Sequence, residues 1–174
     1  GVLVITLLDD GTATAASNLT LTYDEIDAAA VDADDIIGGI NVSDGSVKGL
    51  ECLNKVFTIT GLVPGIVLAP GWSETPTVAA VMKAKAGNIN SHFKAITLND
   101  VPTDAVKKYT DVKAWMNQNS YNDTSQVVCW PMVKMGDDVY HMSTHVLGVI
   151  STVDSNNDDI PYESPSNKSM QING

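Results

Sequence analysis

Residues 66–100 read IVLAPGWSETPTVAAVMKAKAGNINSHFKAITLND, and this one stretch holds a strand, a helix and a second strand. Ile66-Val67-Leu68-Ala69 is a continuous apolar run ended by Pro70-Gly71, the pattern of a buried strand running into a turn. Thr75-Pro76 then opens a helix, a cap followed by proline at the first helical position, where no intrahelical N–H bond is lost. Val78, Met82, Ala86 and Ile89 recur at helical spacing as its buried stripe. Phe93–Leu98 reads as the returning strand. A strand, a crossover helix and another strand form the unit from which parallel sheets are assembled.

The alternation continues downstream. A capped helix is expected after Thr103, with Ala105, Tyr109, Val112 and Met116 repeating on one face. Gln126–Val133 reads as a third strand, paired with Val139–Met142, and a last helix runs from Ser143 to Asp154. The fold class that follows is α/β: a layered domain whose mainly parallel or mixed sheet is flanked by helices, with a small N-terminal β/α portion.

Upstream, Val2–Leu7 and Leu19–Thr22 read as short strands around the Asp9-Asp10-Gly11 turn. Thr22-Tyr23-Asp24-Glu25 has the form of a capping box. Ile26, Ala29, Ala30, Ala33 and Ile37 follow at helical spacing until Gly38-Gly39 stops the helix. Asp27, Asp32, Asp34 and Asp35 fall on its other side and read as a solvated acidic face; a calcium site needs oxygens converging from a loop. Gly45–Asn54 is expected to form a shorter helix with Val47, Leu50 and Leu53 inward. The organisation expected is an N-terminal portion over 1–60, an α/β core over 61–157 and an exposed segment over 158–174.

Composition narrows the function. The chain has 174 residues, 44% of them hydrophobic, with a formal net charge of -11, and all ten basic residues are lysine. Without arginine it lacks the planar fork used for phosphate and guanine recognition, and an acidic surface repels the backbone that supplies most nucleic-acid affinity. Neither nucleic acid nor membrane is expected as a partner. The opening VLVITLL is too short to span a bilayer and has no basic flank. Cys52 and Cys129 read as two buried thiols.

Ligands of α/β sheets gather at the carboxyl ends of the strands. PGWSETP, after the first core strand, lacks the spacing of a phosphate-binding loop and the flanking glycines of a nucleophile elbow. Asn99-Asp100 follows the second strand, and His141-Met142-Ser143-Thr144-His145 follows the hairpin. Asp100, Ser143 and His145 supply the residue types of a nucleophilic triad, but so do many chains of this length. His141 and His145 are four apart without the intervening glutamate of a zinc protease, and the expected helix starts between them. Trp72, Trp115 and Trp130 read as core or interface anchors. No catalytic, cofactor-binding or metal-binding residue is assigned.

Taken together, Gly61–Ser73 (GLVPGIVLAPGWS), the following VAAVMKAKAGNINSHFKAITLND, and the closing Asp154–Gly174 with Glu163-Ser164-Pro165-Ser166-Asn167-Lys168 resemble the contractile tail sheath protein of bacteriophages and phage-tail-like particles. The resemblance covers roughly the whole chain and is strongest from Gly61 onward. It implies a structural subunit, without enzymatic activity or cofactor, that polymerises around the tail tube and contracts to drive it through the target envelope. The partners it implies are other sheath subunits in six-fold rings, the tail tube protein, the baseplate and the tail terminator. The locations it implies are the virion tail and, during assembly, the host cytoplasm. The missing initiator Met and the end at Gly174 give the further expectation of a central fragment, with Pro161–Gly174 leading onward as an exposed connection. The alternatives are an α/β hydrolase-like or nucleotide-binding domain, and a cell-surface binding module.

Overall fold

The computed structural model describes residues 24, 27–170 and 172. The chain divides into two compact units, 1–30 and 31–174. In the first, Ala28–Ala30 form one 3-10 turn, with the Ala29 amide donating to the Asp27 carboxylate at 3.0 Å. The strands expected at Val2–Leu7 and Leu19–Thr22, and the box residues Thr22 and Glu25, lie outside the described residues.

In the second unit the stretch quoted first forms β3 (Ile66–Leu68), α3 (Pro76–Ala86) and β4 (Ile96–Asp100). They follow α1 (Ala33–Ile37), β1 (Gly39–Ile40), β2 (Val47–Lys48) and α2 (Leu53–Thr60). After them come α4 (Tyr109–Gln118), β5 (Gln126–Cys129), β6 (Val133–Met135), β7 (Asp138–Tyr140) and α5 (Met142–Ser155). The central sheet is parallel in the order β3-β4-β5, with Leu68 opposite Leu98 and Asp100 opposite Cys129. An α/β architecture with a helix-flanked parallel sheet is therefore what these residues build.

The stripe read on α3 is the core. Val78, Met82, Ala86 and Ile89 are all buried, and with Val67, Ala69 and Ala95 they form one apolar cluster. Ile36, Ile37, Leu50, Leu53, Trp72 and Phe93 pack against it from outside. The middle strand is the most enclosed, with Thr97, Leu98, Asn99 and Asp100 buried in succession, as a strand covered on both faces must be.

Several expected boundaries change. The helix expected from Thr22 to Ile37 is interrupted, because the chain re-caps at Asp32. Its carboxylate accepts from the Asp34 and Asp35 amides at 2.9 and 3.0 Å, while Asp35 accepts from the Asp32 amide at 3.2 Å. Two of the aspartates assigned to a solvated face are thus capping ligands. The helix does stop at Gly38, whose φ is +68° and where a Cβ would lie 2.0 Å from the Lys48 carbonyl oxygen. Only glycine lets β2 approach so closely.

Gly45–Asn54 is not a helix. Gly45 and Gly49 take φ of +70° and +55°, which a right-handed helix cannot contain. Val47-Lys48 instead pairs antiparallel with β1, and a 3-10 turn over Gly49–Cys52 leads into α2. Strand β4 begins at Ile96 because Phe93 closes a tight turn with Ile89, each amide donating to the other's carbonyl at 2.9 Å. The helix expected after Thr103 begins only at Tyr109, which is 78% exposed; Val106, in the preceding turn, is buried in its place. The strand expected over Gln126–Val133 is split at Trp130-Pro131, proline having no N–H to continue a ladder. Its first half joins β4 in parallel, and β6 pairs with β7 as a separate hairpin. Cys129 is buried as expected, but Cys52 is exposed.

Candidate functional site

The three loops singled out at the strand ends converge. After β3 the chain turns at Gly71, with φ +78°, and the Trp72 and Ser73 amides both donate back to the Ala69 carbonyl, at 3.1 and 2.8 Å. This turns Ser73 inward against the end of β4, where Asp100 stands. From the far side comes the start of α5, with His141 as its cap residue. Ser73 and Ser143 are fully buried, and Asp100 is 3% exposed.

Asp100 is the hub. Its Oδ1 accepts the Ser143 backbone N–H at 2.9 Å, and its Oδ2 accepts the Ser143 hydroxyl at 2.5 Å. The Ser73 hydroxyl reaches the same Oδ2 at 3.4 Å and accepts the Asp100 amide at 3.0 Å. Ser143 is the second residue of α5, so its amide is one of the four donors that a helix start leaves without an internal partner. His141 makes no side-chain capping bond. The carboxylate of Asp100 fills that place from 43 residues away, and its charge opposes the positive end of the helix dipole. Tyr121, 1% exposed, donates its hydroxyl to the Ser73 carbonyl at 2.8 Å and packs its ring 4.7 Å from that of Trp115.

Burial shapes the acid–base character of the neighbours. It pushes the Tyr121 hydroxyl well above its ordinary range, with Glu74 adding to the effect. The Cys129 thiol is pushed up to about 12 by burial and the nearby Asp100, so it stays a thiol. Glu74 is raised chiefly by burial, with further repulsion from Asp100 and Asp104, and the attraction of His141 opposes the rise. His141 Nδ1 lies 3.3 Å from Glu74 Oε1 and 3.9 Å from Asp100 Oδ2.

Of the triad candidates, the structure joins Asp100 to Ser143 and leaves His145 out. The His145 ring stands edge-on to Tyr140 at 6.0 Å and lines a different surface. The histidine beside Asp100 is His141, and it faces carboxylates rather than a serine. The Ser143 hydroxyl gives its hydrogen to Asp100 inside a closed contact, an arrangement that ties segments together and does not set out a serine–imidazole–carboxylate relay. His141 and His145 point to different neighbours, and among the described residues no group of three or more His, Cys, Asp or Glu is arranged to hold a metal ion. Among the same residues no helix is long and apolar enough to cross a membrane.

Trp72 packs on the apolar cluster, and Trp130 donates its indole N–H to the Val106 carbonyl at 2.9 Å. A concavity of about 480 Å³ lies between α5 and the C-terminal segment, with Gly148, Val149 and Thr152 on one wall and Glu163 and Lys168 on the other. That segment is exposed along most of its length but held in place. Asn157 donates to Glu163 at 3.0 Å, the Tyr162 hydroxyl donates to Asn157 at 2.9 Å, and Lys168 pairs with Glu163. Sequence reading missed Ser73, Glu74 and Tyr121. The signal for the first two was present, since they sit in the loop that follows the first core strand.

No protein-family model matches the chain. Over 142 residues, covering 77% of this chain, it is 30% identical to a protein of Burkholderia phage BcepMu named tail sheath protein. The chain spans 28% of the length of that relative. It is therefore similar to about a quarter of a phage tail sheath protein.

Proposed function

We propose that this chain is a structural part of a contractile tail sheath subunit, one that polymerises around a tail tube and contracts to drive it through a target envelope. The observation that carries the reading is the 30% identity to a tail sheath protein over 142 residues. The site supports it. The polar groups at the strand ends, where an α/β enzyme would present its chemistry, are engaged in binding one another. A domain that must keep its shape while its neighbours slide past benefits from such internal ties.

In this reading the chain is a central fragment, with an N-terminal portion over 1–60, the α/β core over 61–157 and a connecting segment over 158–174. Its partners are other sheath subunits in six-fold rings, the tube protein, the baseplate and the terminator. It acts in the virion tail after assembly in the host cytoplasm, and it turns over no substrate. Electron microscopy of the longer parent protein, expressed with its tube protein, tests this. Striated hollow cylinders are expected, and dispersed particles under conditions where the tube assembles would overturn it.

A further inference from the structure

Among the described residues three buried side-chain polar atoms lack a hydrogen-bond partner, Asn99 Oδ1, His145 Nε2 and His141 Nδ1, and the last of these faces carboxylates. His141 Nδ1 is shielded from solvent and unbonded, although Glu74 Oε1 is 3.3 Å away and Asp100 Oδ2 3.9 Å. The two carboxylates belong to different segments, Glu74 to the loop between β3 and α3, Asp100 to the end of β4. His141 belongs to neither, being the cap residue of α5. The other ring nitrogen, Nε2, lies beside Gly71, where an added Cβ would come within 3.2 Å of it. The imidazole is thus bracketed between the Gly71–Glu74 loop and the start of the helix.

A bare Nδ1 lone pair facing a carboxylate oxygen makes no bond and a small repulsion. A positively charged ring adds an ion-pair attraction to Glu74 at 3.3 Å that a neutral ring of either tautomer lacks. The other titratable groups around the site are Asp104, which follows β4 and acts on Glu74; Tyr121, before β5; and Cys129, on β5 beside Asp100. Burial keeps Tyr121 and Cys129 neutral across the physiological range. On α5 itself the next imidazole, His145, faces Tyr140.

We propose that Glu74 and His141 form a proton-operated clasp between the Gly71–Glu74 loop and the first turn of α5, tight when the imidazole is positively charged and loosened when it is neutral. The bonds from Ser143 to Asp100 hold the helix start in both states, so the clasp governs how firmly the loop is held while the fold stays intact.

Amide hydrogen exchange, corrected for its intrinsic pH dependence, tests the clasp at Trp72–Glu74 and Ser143–His145 between about pH 5 and pH 8, the range in which imidazoles change charge. Protection in the unaltered chain should fall about three- to tenfold as the pH rises, the size of one partly buried charge contact. His141→Gln and Glu74→Gln should each flatten the dependence to within about twofold, and His145→Gln should leave it in place. A flat profile in the unaltered chain would overturn the clasp, as would a dependence that survives His141→Gln or vanishes with His145→Gln. If His141→Gln does not fold, Glu74→Gln decides the question alone.

Discussion

Helices α1 and α5 begin in opposite ways. α1 has five residues and caps itself, with Asp32 and Asp35 trading hydrogen bonds across its first turn on an exposed surface. α5 has fourteen residues and no cap of its own; its first turn is held by Asp100 from another element in a buried site. A local cap competes with water and contributes little, but it needs nothing else to be folded. A remote cap exists only once sheet and helix have docked, so it couples helix formation to the tertiary fold. The difference predicts that the same chemical change, carboxylate to methyl, has unequal consequences at the two sites.

Asp100→Ala should have the largest effect. It leaves the Ser143 amide and the hydroxyls of Ser73 and Ser143 buried without their shared acceptor. Hydrogen bonds to a charged group contribute about 1.5–3 kcal/mol each, so a loss of about 3 kcal/mol or more is expected in chemical denaturation. Ser143→Ala comes next, at about 1–2 kcal/mol, because it removes one hydroxyl bond and keeps the amide bond that caps the helix. Asp32→Ala should cost about 1 kcal/mol and should act on α1 alone. Equal losses for Asp100→Ala and Asp32→Ala would break the comparison.

The same contrast explains what could be read in advance. The α3 stripe, β3 and the limits of α5 follow from patterns within a dozen residues, and they appear close to where the sequence places them. The acidic stretch is locally legible too: Asp27, Asp32, Asp34 and Asp35 are all exposed, and two of them cap α1 as well. The role of Asp100 was not legible, because it depends on a docking 43 residues distant. The rule that polar groups gather at strand ends did point to the right three loops. What it left open was their purpose: Asp100 and Ser143 meet, yet the imidazole beside them is His141 and the partner supplied by PGWSETP is a buried serine. The expected hairpin keeps Val133 beside the Val139 segment but loses Gln126–Cys129 to β4, because which neighbour that strand pairs with is settled by the sheet as a whole.

The smallest expected effect is also the one that separates the two kinds of site by pH. Glu74 sits beside the remote cap and has its folded-state pKa raised above the ordinary 4.5, with burial the main cause. A raised carboxylate contributes stability that is fully present below its unfolded value and lost as the pH climbs through its folded value. At neutral pH the chain therefore carries the cost of holding Glu74 ionised. Glu74→Gln removes that cost, so the variant should be more stable than the unaltered chain at pH 7, by a few tenths of a kcal/mol given the group's partial exposure. The advantage should vanish below pH 4.5, where both chains hold a neutral side chain. Thermal melts of the two chains from about pH 3.5 to pH 8.5 would trace the difference through both the carboxylate and the imidazole ranges. If Glu74 acted alone, the curve would level off once the carboxylate is ionised. With His141 in the clasp, a second rise should follow as the imidazole loses its proton and its attraction for Glu74. Asp35→Asn, at the self-capped helix, has no imidazole against it and should give no such second step.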